Sequence, residues 1–277
     1  MKTLYISDLD GTLLNKNAKL SQYSENIINE LIDKGMIFSV ATARSQSAVD
    51  ILKNVKINTP CVQLNGVLIY DFSTKEYIDC TPMDIQTARE VVTILRDFDR
   101  MSFVYKFDKG IVVEFEQLHN PTEVNFFNAR KDNDYKGFRQ VEKISVSDED
   151  KVIYFTMVDS KEKLQPIYEA IEKVSGAKAV LYHDNYSDLY FLEVFSVNAT
   201  KANGVRKMKE ITGADKVVAF GDNLNDIDML KFADTGIAVK DSVEDVKKAA
   251  DLVIGSSDEN GVAEYLKKVF DIQRAGF

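Results

Sequence analysis

The sequence predicts an α/β protein: a parallel-sheet core interrupted by an α+β insert. The first third alternates short apolar runs with helical patterns, and the last third does the same, while the middle pairs hairpins with helices. Strand–helix alternation favours a parallel sheet with right-handed crossovers, whereas hairpins mark antiparallel pairing. The flanking thirds, 1–82 and 195–277, therefore read as pieces of one layer, with 83–194 inserted between them.

Each element has its own signal. A β-prone run near 2–7 precedes a helical pattern from Tyr23 to Lys34, closed by Gly35. Met36–Ala41 is apolar and strand-like, and Ser45 stands ready to cap a helix to Asn54. Cys61–Leu64 and Val67–Tyr70 flank Asn65-Gly66, a tight-turn dipeptide. In the insert, Ile85–Phe98 is helical, and Lys109-Gly110 turns Met101–Phe107 into Ile111–Phe115. Pro121 opens a helix, and the polar run Lys131–Lys136 is a loop. Lys151–Val158 is a strand and Lys161–Val174 a helix, and strands Lys178–Tyr182 and Leu189–Val194 surround a polar turn, His183–Asp188. The last third predicts helices over 201–211, 225–232, 243–249 and 262–270, with strands over 216–220, 235–239 and 252–254.

Composition narrows the function. The 277 residues are 45% hydrophobic and 29% charged, ordinary for a globular chain of one large domain or two smaller ones. A formal net charge of −9 argues against nucleic acid or an anionic membrane surface as the main partner. Cys61 and Cys80 are the only cysteines, which points to incidental thiols in a reducing compartment. No signal-peptide pattern opens the chain and no apolar stretch is of membrane-spanning length, so the expected location is cytoplasmic. His119 and His183 lack the spacing of a metal site.

The chemistry lies in four short segments. Ile6-Ser7-Asp8-Leu9-Asp10-Gly11-Thr12-Leu13-Leu14 places two carboxylates where the first strand gives way to a loop. Ligands of open α/β sheets bind at such carboxyl ends, and crowded carboxylates need a cation or a hydrogen-bonding ligand to offset their repulsion. Thr42, in Val40-Ala41-Thr42-Ala43-Arg44-Ser45, puts a hydroxyl at a second strand end, before a helix N-terminus that favours anions. Lys201 enters a helix within Asn198-Ala199-Thr200-Lys201-Ala202-Asn203-Gly204, placed to neutralise a carboxylate or a phosphoryl group. Phe220-Gly221-Asp222-Asn223-Leu224-Asn225-Asp226 again follows a strand, and its spacing does not fit an EF-hand loop.

In this order and spacing, the four segments resemble the motifs of the haloacid dehalogenase superfamily, and the insertion point resembles its Cof-type branch with a C2B cap. The resemblance spans the chain and implies a Rossmann-like parallel-sheet core with an inserted α+β cap. It implies Asp8 as nucleophile and Asp10 as general acid/base, with phosphate bound by Leu9, Thr42, Ala43, Lys201 and Asn225. Asp226 would support the site by anchoring Lys201 or the metal's water shell. Mg²⁺ would be held by Asp8, the Asp10 main-chain carbonyl and Asp222. The family usually carries Lys-Gly where this chain has Lys201-Ala202.

The expected activity is hydrolysis of small phosphorylated metabolites, sugar phosphates first, through an aspartyl-phosphate. The expected partner is thus a small phosphorylated metabolite, with neither nucleic acid nor membrane, and the chain works as a monomer or small homo-oligomer. A phosphotransferase or sugar phosphomutase would use the same residues, and a catalytically idle phospho-ligand-binding module would keep the pocket. Dehalogenase chemistry is disfavoured, because Asp10 supplies an acid that only an alkoxide leaving group needs. Asn65-Gly66 serves equally as a plain turn or as part of the site.

Overall fold

The structure is a computed structural model that describes residues 1–45, 50–101, 103–131, 136–183 and 189–274. The chain divides into two compact units, Met1–Asp79 with Thr200–Phe277, and Cys80–Ala199.

The first unit is built on a five-stranded parallel sheet of β1 (Thr3–Ser7), β2 (Ile37–Val40), β12 (Lys216–Gly221), β13 (Thr235–Val239) and β14 (Leu252–Ile254). Their order is β14-β13-β12-β1-β2. From β1 the chain first goes to β2 on one side and later returns to β12 on the other. The strand order therefore reverses at β1, the place where open α/β sheets leave a crevice at their carboxyl ends. Ser7 is in register with Phe220 and with Val40, so Asp8, Asp222 and Ala41 leave three neighbouring strands at the same edge.

Helices α1 (Gln22–Asp33), α5 (Lys201–Thr212), α6 (Ile227–Phe232), α7 (Glu244–Ala249) and α8 (Gly261–Arg274) belong to the same unit. The Ser21 side chain caps α1 by accepting the Ser24 N–H, and the helix buries Ile27, Ile28, Leu31 and Ile32 on one stripe. Burying each such side chain contributes about 1.5–3 kcal/mol, more than the roughly 1 kcal/mol of the cap. Packing therefore holds the helix and the cap fixes its start. Thr200 caps α5 through the Asn203 N–H, which sets Lys201 at the first helical position.

β3 (Cys61–Gln63), β4 (Leu68–Asp71) and β5 (Glu76–Cys80) form a small separate sheet. A parallel bridge from Ala41 to Val62 ties β3 to the end of β2. The expected two-residue hairpin turn is instead a 3-10 turn over Leu64–Gly66, so Leu64 leaves the strand. Leu64, Asn65 and Gly66 all adopt positive φ, at 48°, 54° and 100°.

The second unit carries a six-stranded sheet, order β10-β11-β9-β6-β7-β8. Its strands are β6 (Phe103–Phe107), β7 (Ile111–Phe115), β8 (Lys136–Gln140), β9 (Val152–Asp159), β10 (Ala177–His183) and β11 (Tyr190–Ser196). Pairing is antiparallel except between β7 and β8, which run parallel. Helices α2 (Ile85–Asp97) and α4 (Lys161–Ile171) share one apolar core with this sheet through residues such as Val91, Leu95, Phe155, Leu164, Ile167 and Val194. A shorter helix, α3 (Pro121–Asn128), begins at Pro121 with Asn120 as its cap.

The second unit closes after Ala199 rather than at 194, because β11 stays paired with β10 as far as Ala177↔Ser196. Strands β5 and β8 had no counterpart in the sequence reading. The expected helix over 45–54 includes residues 46–49, and the polar loop over 131–136 includes 132–135. The His183–Asp188 turn includes 184–188. These stretches lie outside the described residues.

Candidate active site

Asp8 follows β1 directly and is 5% exposed. Its backbone N–H donates to the Phe220 carbonyl at 2.9 Å, which continues the β1–β12 ladder one step beyond the strand. Lys201 Nζ donates to Asp8 Oδ1 at 2.6 Å and to Asp226 Oδ1 at 2.7 Å. Lys201 is 2% exposed and Asp226 is fully buried. One ammonium is thus shared by two carboxylates from opposite ends of the sequence.

Asp226 is saturated in this arrangement. Its second oxygen accepts the Asp222 and Asn223 backbone N–H groups, both at 3.0 Å. Gly221 lies so close that a Cβ there would stand 2.5 Å from the Asp226 Cβ. The loop after β12 is therefore wrapped around the Asp226 carboxylate. Asp226 thus pairs with the Lys201 ammonium through one oxygen and with two backbone N–H groups through the other.

Asp222 accepts a hydrogen bond from the Thr12 hydroxyl at 2.7 Å. Gly11 has φ 79°, and a Cβ on it would stand 2.4 Å from Asp222 Oδ2. Gly11 and Thr12, directly after Asp10, thus cradle the carboxylate of the distant loop. Glycine is needed there for both the backbone angle and the space.

Carboxylate oxygens of Asp8, Asp222 and Asp226 lie within 4.8 Å of one another. Burial pushes the Asp8 carboxyl up to about 8, against the pull of Lys201 and with the push of Asp226 and Asp222. Burial raises Asp222 as well, opposed by the Thr12 hydroxyl. For Lys201, burial disfavours the charge, but Asp8 and Asp226 outweigh it and hold the pKa above the ordinary value. One lysine does not balance three crowded carboxylates, and a divalent cation would. All the available donors are hard oxygens, which suit Mg²⁺ or Ca²⁺. Asp8, Asp222 and Asp226 could each offer an oxygen to such an ion, and Asp226 is also bound to Lys201 and two N–H groups.

Thr42 is fully buried, and its hydroxyl oxygen accepts the Arg44 N–H at 3.0 Å. That leaves the hydroxyl proton to donate. The Leu9 side chain is fully buried and the Ala43 side chain is a bare methyl, so both can offer a ligand only their backbone. Asn225 is exposed and donates through Nδ2 to Asn65 Oδ1 at 3.0 Å.

The residues read from the sequence thus gather at the carboxyl edge of β1, β2 and β12. Three partners were not foreseen. Thr12 holds Asp222, Asn65 holds Asn225, and Arg44 forks onto Asp10, with Nε donating to Oδ2 at 2.6 Å and Nη2 donating to Oδ1. Thr12 and Arg44 stood inside the quoted motifs, but nothing in a linear string gives their partners. Asn65 N–H donates to the Thr42 carbonyl at 3.0 Å, and a Cβ on Gly66 would strike the Thr200 carbonyl oxygen at 2.2 Å. The turn therefore joins the segments that carry Thr42, Lys201 and Asn225.

Residues 5–266 match the profile of the haloacid dehalogenase-like hydrolases. The chain belongs to this family. Among curated haloacid dehalogenase relatives and others, it is 25% identical over 277 residues to the 5-amino-6-(5-phospho-D-ribitylamino)uracil phosphatase YitU of Bacillus subtilis, covering 96% of each chain. It is 26% identical over 266 residues to the pyridoxal phosphate phosphatase YbhA of Escherichia coli, covering 94% of this chain and 95% of that one. Among solved structures, TM0651 of Thermotoga maritima superposes with a TM-score of 0.72 at 21% identity, covering 97% of each, a likeness of fold. The Cof-type haloacid dehalogenase reading and the parallel-sheet core are both met, and the enzyme is of the phosphoric monoester hydrolase type. No helix among the described residues is long and apolar enough to cross a membrane.

Proposed function

We propose that this chain is a Mg²⁺-dependent phosphatase of small phosphorylated metabolites, sugar phosphates foremost, working through an aspartyl-phosphate on Asp8. The observation that carries the reading is the Lys201 ammonium shared between Asp8 and Asp226, with Asp222 packed beside Asp8. A cation beside a buried carboxylate favours its ionised, nucleophilic form and fixes its orientation, and Lys201 stands in that place. The names of YitU and YbhA, both phosphatases of small phosphorylated compounds, support the substrate class.

The metal would be held by Asp8 and Asp222 with the main-chain carbonyl of Asp10, and Gly11 leaves the room that Asp222 needs. When bound, it screens the negative charge of the phosphate against the approaching carboxylate. In our reading Asp8, held through Oδ1 by Lys201, attacks phosphorus in line. The new bond joins Asp8 to phosphorus as the ester oxygen leaves. Asp10, protonated on an oxygen that one Arg44 hydrogen bond gives up, passes that proton to the leaving oxygen. It then takes a proton from the water that attacks phosphorus, and the bond to Asp8 breaks to free phosphate and the Asp8 carboxylate. Lys201, the Thr42 hydroxyl, the Leu9 and Ala43 N–H groups and Asn225 share the phosphoryl oxygens, so positioning and charge stabilisation supply most of the acceleration.

The unit Cys80–Ala199 carries none of these residues. Turnover of a panel of sugar phosphates, pyridoxal phosphate and a generic aryl phosphate, with Mg²⁺ and with EDTA, tests the reading. Metal-dependent release of phosphate, strongest with a sugar phosphate, is expected. Equal turnover in EDTA would remove the metal, and transfer to an added sugar in place of water would make the enzyme a phosphotransferase.

A further inference from the structure

The Asp10 carboxylate is the most exposed acidic group of the site, with half of its side-chain surface open. A carboxylate at the end of a strand has a free χ1 and χ2 unless something fixes it. Here the Arg44 guanidinium does so: Nε takes Oδ2 and Nη2 takes Oδ1, a two-pronged pairing that sets both the direction and the plane of the carboxylate. Arg44 is itself pinned twice through its backbone. Its N–H donates to Thr42 Oγ1 at 3.0 Å, and its carbonyl accepts the Leu64 N–H at 3.1 Å, at the start of the left-handed turn. The Arg44 side chain is 24% exposed, so most of its length is packed. Among the described residues, no other acidic group pairs with it.

We infer that Arg44 is a positioning residue for Asp10, aiming its carboxylate at the leaving-group oxygen from an anchorage in the phosphate-binding turn. This rests on the reading of Asp10 as the proton donor. The pairing is planar and bidentate, which a lysine cannot reproduce. Because Arg44 is anchored on the Thr42 hydroxyl, a group that the proposed function gives to phosphate binding, the orientation of Asp10 is set from that turn and not from its own loop.

The test is a cycle of Asp10→Asn, Arg44→Ala and the double variant, each measured on a sugar phosphate, whose leaving group needs a proton, and on an aryl phosphate, whose leaving group scarcely does. Asp10→Asn should lower kcat on the sugar phosphate by ~10²-fold or more and on the aryl phosphate far less. Arg44→Ala should show the same selectivity with a loss of roughly 10- to 100-fold, the cost of misplacing a catalytic group. Added to Asp10→Asn, it should cost less than about 2-fold more, because both changes act through one group. Arg44→Lys covers the case in which the alanine variant does not fold, and it should show the same selective loss.

An additive loss in the double variant, or full recovery by lysine, overturns the proposal and makes Arg44 a plain charge for the phosphate. An equal loss on both substrates in Arg44→Lys overturns it too. If Asp10→Asn itself is unselective, the acid role of Asp10 fails and the Arg44 proposal falls with it, which separates the two failures.

Discussion

Asn225 donates through Nδ2 to Asn65 Oδ1 at 3.0 Å, across 160 residues of sequence. The bond joins the loop after β12 to the left-handed turn after β3, so neither asparagine is placed by its own segment alone. Asn65 has φ 54°, a conformation that asparagine tolerates better than most side chains. Replacing it with glycine keeps the backbone and removes only the hydrogen bond. We expect Asn65→Gly to raise KM for a phosphate monoester by roughly 3- to 10-fold with kcat nearly unchanged, the cost of about one hydrogen bond. Steady-state kinetics decide it; an unaltered KM would leave Asn225 positioned without Asn65.

Asp8→Asn should abolish turnover, with a loss on the order of 10⁴-fold or more if covalent catalysis is removed, while far-UV circular dichroism stays unchanged. A phosphorylated protein should be trapped from the wild type by acid quench and not from the variant. Residual activity within tenfold would place the nucleophile elsewhere.

Metal-free stability should depend on pH through the same residue. Burial pushes the folded Asp8 up to about 8 against an ordinary 3.8, so between those values the folded state holds a proton that the unfolded chain has released. Its contribution is full below the ordinary value and is lost as pH rises through about 8. Asp222, also raised by burial, adds in the same sense. In EDTA the Tm should therefore carry a falling contribution from about pH 5 to pH 8, flatter in Asp8→Asn. Mg²⁺ should raise Tm more at the upper end, because it takes the carboxylates as anions. Differential scanning fluorimetry across that range checks it; an equal Mg²⁺ shift at both ends would contradict the sign.

Asp226→Ala should destabilise the fold as well as the site. The change leaves the buried Lys201 with one acidic partner and strips the Asp222 and Asn223 N–H groups of their acceptor. Breaking such a buried pair costs about 3–5 kcal/mol. Urea denaturation should show the loss, and a change below about 1 kcal/mol would mean that water replaces the carboxylate at little cost.

Gly11→Ala should weaken metal binding by crowding Asp222, without replacing any ligand. The new methyl would meet Asp222 Oδ2 at 2.4 Å and would sit on a backbone at φ 79°. A stability loss of about 1–3 kcal/mol is expected for the backbone strain alone, together with a higher Mg²⁺ requirement in titrations of activity. Wild-type Mg²⁺ dependence would mean that Asp222 does not hold the ion.

The sequence made Asp8, Asp222 and Lys201 legible because each stands at the end of an element that its neighbours announce. Apolar runs precede both aspartates, and the Thr200 cap precedes the lysine. The pairings were not legible in that way. Which side chain meets Asp10, Asp222 or Asn225 depends on strand register and on the left-handed turn, and both are tertiary facts. The missed strands have a similar cause. β5 is half exposed along its length, and β8, Lys-Gly-Phe-Arg-Gln, is the edge of its sheet. Edge strands need no alternating apolar face, and charged side chains there discourage pairing with other chains. The Leu64–Gly66 turn was half legible, since Asn-Gly marks a turn but does not report that Leu64 also adopts a positive φ.

The register of Thr3 with Lys216 has a consequence for biosynthesis. β1 leaves the ribosome early and can pair at once with β2 on one side. Its other edge waits for β12, while the whole unit Cys80–Ala199 is translated in between. At roughly 5–20 residues per second that wait is on the order of tens of seconds. For all of it the apolar strand Thr3–Ser7 offers an open row of backbone groups in the middle of the future sheet. The strand that ends at Asp8 thus keeps an open edge while the chain is being made, and the Lys201 and Asp222 neighbours of Asp8 join it only when the last third of the protein has been made.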